Sequence, residues 1–145
     1  MIFLDTTYFE DVYDFFFSKI TTYNQYIDLS EEDLNEELKM LLRTSLSKFI
    51  EADNIIADMD MDSFNRKLTD LEMNIISMGM VLSWITQKVN SVEQFDTVLG
   101  SKDYTIFSQA NHLKELMEAQ RNAESDFHYW IKRYSLQKVL KRGLK

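Results

Sequence analysis

Leu34, Leu38, Leu41, Leu42, Leu46 and Phe49 are separated by 4, 3, 1, 4 and 3 residues, with polar positions between them. That spacing keeps returning to one side of a 3.6-residue turn and predicts an amphipathic helix. Ser30-Glu-Glu-Asp33 opens it, with a hydroxyl at the cap and acids at the positive end of the helix dipole. Upstream, Phe9, Val12, Tyr13, Phe16 and Phe17 share a face. They predict a helix over about residues 8–20, and Thr7-Tyr-Phe-Glu10 reads as its capping box. Residues 21–29 have no helical period and read as a connector.

The period fails again at 51–68, where Ile55 and Ile56 sit among acids and Asp58-Met-Asp-Met-Asp62 follows. This stretch predicts an ordered loop with room for one short extended piece. Thr69-Asp-Leu-Glu72 is a second capping box, opening a helix to about Lys88. Its stripe of Leu71, Ile75, Met78, Leu82 and Ile85 is widened by Ile76, Met80, Val81 and Trp84, so burial on more than one side is expected. Gly79 in its middle costs about 1 kcal/mol against Ala, which predicts a close helix crossing there. Asn90-Ser91 reads as the end of that helix and the cap of a short one at 92–99, with Gly100 as its C-cap.

A last, long helix is expected to begin between Ser101 and Ser108 and reach about Tyr134. Its face is Leu113, Leu116, Met117, Ala123, Phe127, Ile131 and Tyr134. Beyond it Leu136, Val139, Leu140 and Leu144 alternate with bases, either as an amphipathic continuation or as a tail that orders on a partner. The fold class predicted is all-α: one helical bundle of about four to five helices over residues 1–134, followed by a basic tail over 135–145.

Composition sharpens this reading. There is no proline and no cysteine, and there are only 3 glycines in 145 residues. Turn-rich β architectures draw on Gly and Pro, so an all-β fold is disfavoured. Disulfides, thiol nucleophiles and Cys-ligated zinc are excluded outright. The net charge of −8 averages unlike parts. Residues 1–65 carry 15 acids and 4 bases, whereas residues 127–145 carry no acid and 6 bases. The acidic body is a poor match for phosphates. The basic end (Lys132, Arg133, Lys138, Lys141, Arg142, Lys145) fits either a solvated helix terminus or a docking segment for an acidic surface. Tyr129, Trp130 and Tyr134 interleave with it, and aromatics with Arg are enriched in protein interfaces. These nine residues are the candidate partner-binding site.

Candidate chemistry is sparse. Asp58-x-Asp60-x-Asp62 resembles the start of a calcium loop, but Ser63 and Thr69 stand where the glycine and the bidentate Glu are needed. His112 and His128, on one helix, would lie about 24 Å apart and cannot share a metal. Nucleophile elbows and phosphate-cradling glycine loops are absent. No catalytic residue, cofactor or metal is expected, and neither is an enzyme. The N-terminus lacks a basic n-region, so no signal peptide is expected, and the uncharged stretch from Met73 to Gln87 is too short and polar to span a bilayer.

The order of features from residue 29 onward carries a resemblance. Leu29-Ser-Glu-Glu-Asp-Leu34 is followed by Leu68-Thr-Asp-Leu-Glu72 and Met80-Val-Leu-Ser-Trp84. Lys102-Asp-Tyr104, Phe107-Ser-Gln-Ala-Asn-His-Leu-Lys-Glu-Leu116 and Arg133-Tyr-Ser135 come next. This arrangement, over roughly residues 9–135, resembles the head–tail connector (adaptor, or neck) proteins of tailed bacteriophages, most specifically at Ser108–Leu113. The resemblance implies a structural virion protein, assembled in the host cytoplasm and placed at the capsid–tail neck. It implies a ring of identical subunits, commonly a dodecamer, bound below the portal and beside other neck or tail-completion proteins. DNA would pass through the lumen without specific binding, and the C-terminal segment would dock on the portal. Two other classes fit the residues: an acidic helical inhibitor that mimics DNA, and a helical regulatory or chaperone module.

Overall fold

The structure is a computed structural model that describes residues 6–20, 30–99 and 103–143. The side chains of residues 92–111, and the expectations for residues 1–5, 21–29, Gly100, Leu144 and Lys145, lie outside the described residues. The fold is all-α apart from one small hairpin. Its order is α1 (Phe9–Lys19), α2 (Glu31–Lys48), β1 (Ala57–Asp58), β2 (Ser63–Phe64), α3 (Asp70–Leu99) and α4 (Asp103–Gly143).

Helix α3 is the axis of the bundle, packing against α4, α2 and α1. Ile75, Ile76, Ser77 and Met80 are all fully buried, which takes in more than one side of the helix, as its broad apolar stripe predicts. Gly79 lies at the crossing. A Cβ there would overlap Ser45 Oγ and stand 3.0 Å from the Phe127 ring, so α2 and α4 both close on this point. The Ser45 hydroxyl donates to the Ile76 carbonyl at 2.6 Å and is thereby satisfied in the core. The stripe on α2 supplies Leu38, Leu41, Leu42 and Phe49 to the same core.

Two caps form as their residues dictate. Ser30 Oγ accepts the Asp33 N–H at 3.1 Å. Thr69 and Glu72 exchange side-chain and backbone bonds at 3.1 and 2.9 Å. The first helix departs from expectation. Its N-cap is Tyr8, whose N–H is accepted by the Asp11 carboxylate at 3.0 Å. Thr7 is used elsewhere: its hydroxyl accepts the Leu68 N–H at 2.8 Å, and its backbone carbonyl accepts the Phe64 N–H at 2.9 Å. A tertiary pairing with the hairpin has taken the residue that local chemistry would have made a cap.

The second departure is at Asn90-Ser91. No break occurs there, and α3 runs through to Leu99, so the expected helices at 69–88 and 92–99 are one. Local cap preference does not end the helix here, and Val89, just before the pair, is still buried against the core. Beyond Tyr134, residues 135–143 continue α4 without interruption, which is the first of the two arrangements the sequence leaves open for the basic end, and the helix is 41 residues long, or about 60 Å.

Candidate functional site

Helix α4 places its terminal side chains on two opposite faces. Phe127, Ile131 and Tyr134 lie on the buried face, and all three belong to the hydrophobic core. Lys138, one turn further on, donates to the Glu51 carbonyl at 3.1 Å and sits 4.0 Å from the Asp53 carboxylate. The opposite face carries Tyr129, Lys132, Arg133, Leu136, Val139 and Leu140. Its tyrosine is 52% exposed and its aliphatic side chains 59%, 63% and 56%, and both bases are exposed. Spacings of three, four and seven residues make this one continuous stripe.

The inner face closes a clasp on the rest of the molecule. Glu72, buried on α3, receives both guanidinium arms of Arg66, at 2.9 and 2.6 Å. Tyr134 donates its hydroxyl to the same carboxylate at 2.9 Å and accepts the Asp53 N–H at 3.0 Å. Arg66 also donates to the carbonyls of Asp53, Asn54 and Lys67. Asn54, with φ of 54°, supplies the left-handed turn that brings those carbonyls around. Burial alone would raise the Glu72 carboxyl, but Arg66, the Thr69 N–H and Tyr134 together hold it below the ordinary 4.5. Burial, with the neighbouring carboxylates, pushes Tyr134 up to about 12. The clasp is hydrogen-bonded throughout and ties α4 to α3 and to the segment after α2.

The nine candidate residues therefore separate. Tyr129, Lys132 and Arg133 stand on the exposed face. Arg133 lies 5.9 Å from the Tyr129 ring centroid and 5.4 Å from that of Trp130, which is half-buried. Tyr134 and Lys138 lie on the inner face instead, where Tyr134 bonds to Glu72 and Asp53 and Lys138 to the Glu51 carbonyl. Lys141 and Arg142 are exposed, and Lys145 lies outside the described residues. Leu136, Val139 and Leu140 share the exposed face with Tyr129, Lys132 and Arg133, and their spacing within a basic segment is that of an apolar helical stripe.

The aspartate run resolves into turn chemistry. Asp58 Oδ1 accepts the N–H groups of Asp60 and Met61 at 3.0 and 3.2 Å, Asp62 takes positive φ, and its carboxylate pairs with Lys39 at 2.7 Å. Among the described residues no group of three His, Asp or Glu side chains is arranged to hold a metal ion. His128 faces Glu124 at 3.8 Å on the exposed surface of α4. No helix among the described residues is long and apolar enough to cross a membrane.

A concavity lies between α1 and α2, lined by Glu10, Glu31, Glu32 and Asp62 around Tyr13 and Leu38, with a volume of about 760 Å³. Lys39 reaches Asp62 at its edge, but among the described residues no base lines the groove itself. Comparison with known proteins returns no matching family model, no matching curated protein and no matching solved structure.

Proposed function

We propose that this chain is a structural assembly subunit, a non-enzymatic protein of the head–tail connector kind that joins copies of itself and a portal at the neck of a tailed bacteriophage. The observation that carries the reading is the outer face of α4. Three exposed aliphatic side chains, a tyrosine and two bases stand on a rigid helix end whose opposite face is already anchored. A contiguous apolar stripe left uncovered beside bases supports reading this face as an interaction surface. The acidic body supports the same reading, because a lumen that passes DNA without gripping it is better lined by like charge. The resemblance in residue order supplies the biological setting.

The test is the mass of complexes formed when the purified chain is mixed with a portal protein of a tailed bacteriophage. A ring of chains on the portal is expected, and its loss on deleting residues 135–145 is expected with it. A chain that never joins a portal or another neck protein overturns the connector reading.

A further inference from the structure

The described surface carries two unpartnered regions that match each other. One is the outer face of α4, aliphatic at Leu136, Val139 and Leu140 and basic at Lys132 and Arg133. The other is the α1–α2 groove, whose walls carry Glu10, Glu31 and Glu32 and whose lining includes Leu34 and Leu38. Acids at the start of two helices are ordinary, because they complement the helix dipoles. Tyr13 adds something they do not explain. It is 8% exposed, it lines the groove, and its buried hydroxyl has no hydrogen-bond partner among the described residues. A buried polar group without a partner costs free energy until a donor or acceptor reaches it.

We propose that the outer face of α4 from one copy of this chain docks in the α1–α2 groove of a second copy. The aliphatic stripe enters against Leu34, the bases meet the acid walls, and the Tyr13 hydroxyl beneath gains a donor as the groove wall adjusts around the helix. This is helix-in-groove recognition, with anchors three, four and seven residues apart. The occupant cannot be the same molecule's own helix end. The clasp through Tyr134 and the Lys138 bond to Glu51 hold the inner face of α4 down, so the outer face is turned away from its own body. Two different patches meeting head to tail form a heterologous contact, which closes into a ring if the rotation between copies allows and otherwise extends as a filament. The inference rests on the assembly reading for its setting, but its contact is between copies and needs no portal.

The absence of native cysteine makes the test clean. Two single-cysteine variants, Leu140→Cys and Asn35→Cys, the second in the groove lining, are mixed and oxidised. A disulfide-linked heterodimer that forms only in the mixture is expected, and falls off at high salt because the charges that seat the helix are screened. In parallel, Lys132→Glu with Arg133→Glu, and Glu31→Lys with Glu32→Lys, are followed by sedimentation. Each pair of changes should weaken self-association at least tenfold, and mixing the two variants should restore it. A wild-type chain that stays monomeric at all concentrations overturns the proposal, as does a mixture that neither cross-links nor recovers. Should a charge-reversed chain fail to fold, the cysteine pair decides. Portal binding is scored separately. A chain that cross-links copy to copy but ignores the portal keeps this inference and removes the connector reading, and the reverse result does the opposite.

Discussion

Tyr129 with Arg133 and Tyr134 with Lys138 are the same chemical pair, an aromatic followed four residues later by a base. In both the cation lies over the ring, at 5.9 and 5.6 Å. Their surroundings differ completely. Tyr134 is buried, edge-on to Phe49 at 5.0 Å, and its hydroxyl joins α4 to Glu72 and to the Asp53 backbone. Tyr129 is exposed, and its hydroxyl accepts a bond from Arg133 on its own helix. One pair closes the fold and the other is left outside it. What separates them is helix phase: five residues place the two tyrosines on opposite sides of the same cylinder.

The contrast can be broken from its strong side first. Arg66→Ala should remove about 3 kcal/mol, because it leaves a buried carboxylate facing only Tyr134 and a backbone amide, and urea unfolding measures it. The cost is pH-dependent. Glu72 is held below its ordinary 4.5 in the fold, so the stability it contributes is present above that value and is lost as pH falls through the depressed one. The gap between wild type and Arg66→Ala is therefore expected to be widest near neutrality and to narrow in acid. An unchanged gap would show that Glu72 is not the group involved.

Gly79→Ala comes next, at about 2 kcal/mol, because the new methyl would fall on Ser45. Adding Ser45→Gly should recover part of that loss, since it removes the atoms in the way. Tyr134→Phe should cost about 1 to 2 kcal/mol through the orphaned Asp53 N–H and the donor lost to Glu72. Tyr129→Phe sets the scale for the other side of the helix and should leave the melting temperature unchanged. The smallest effect on stability is expected for Leu136→Ser with Leu140→Ser, within about 0.5 kcal/mol of wild type. Exposed side chains that support no fold should be silent in unfolding and loud in assembly.

Much of the architecture was legible because it rests on local signals. The stripe from Leu34 to Phe49, the Ser30 and Thr69 caps and the close approach at Gly79 follow from spacing and residue type. Tertiary competition was not legible. Thr7 has the chemistry of a cap, but its hydroxyl accepts the Leu68 N–H and its carbonyl pairs with the hairpin at Phe64. Asn90-Ser91 looks like a helix end, but the helix runs on through it to Leu99. The candidate site was half legible for the same reason. Composition marked the segment around Tyr129–Lys141 as basic and aromatic, but it cannot say which side of a helix its own body will cover. Tyr134 and Lys138 are claimed by partners more than 60 residues away in sequence, at Glu72 and Glu51. Nothing within the local segment announces that. The apolar stripe of Leu136, Val139 and Leu140 could have been found by applying helical phase to the segment treated as a tail.

The central claim is that one helix divides its labour, with the inner face folding the protein and the outer face assembling it. The most direct test is the native mass of wild type and of Leu136→Ser/Leu140→Ser, measured over a concentration series beside their melting temperatures. Equal melting temperatures, a wild type that associates and a variant that stays monomeric are expected. A variant that associates like wild type, or one that loses its fold together with its association, would contradict that claim.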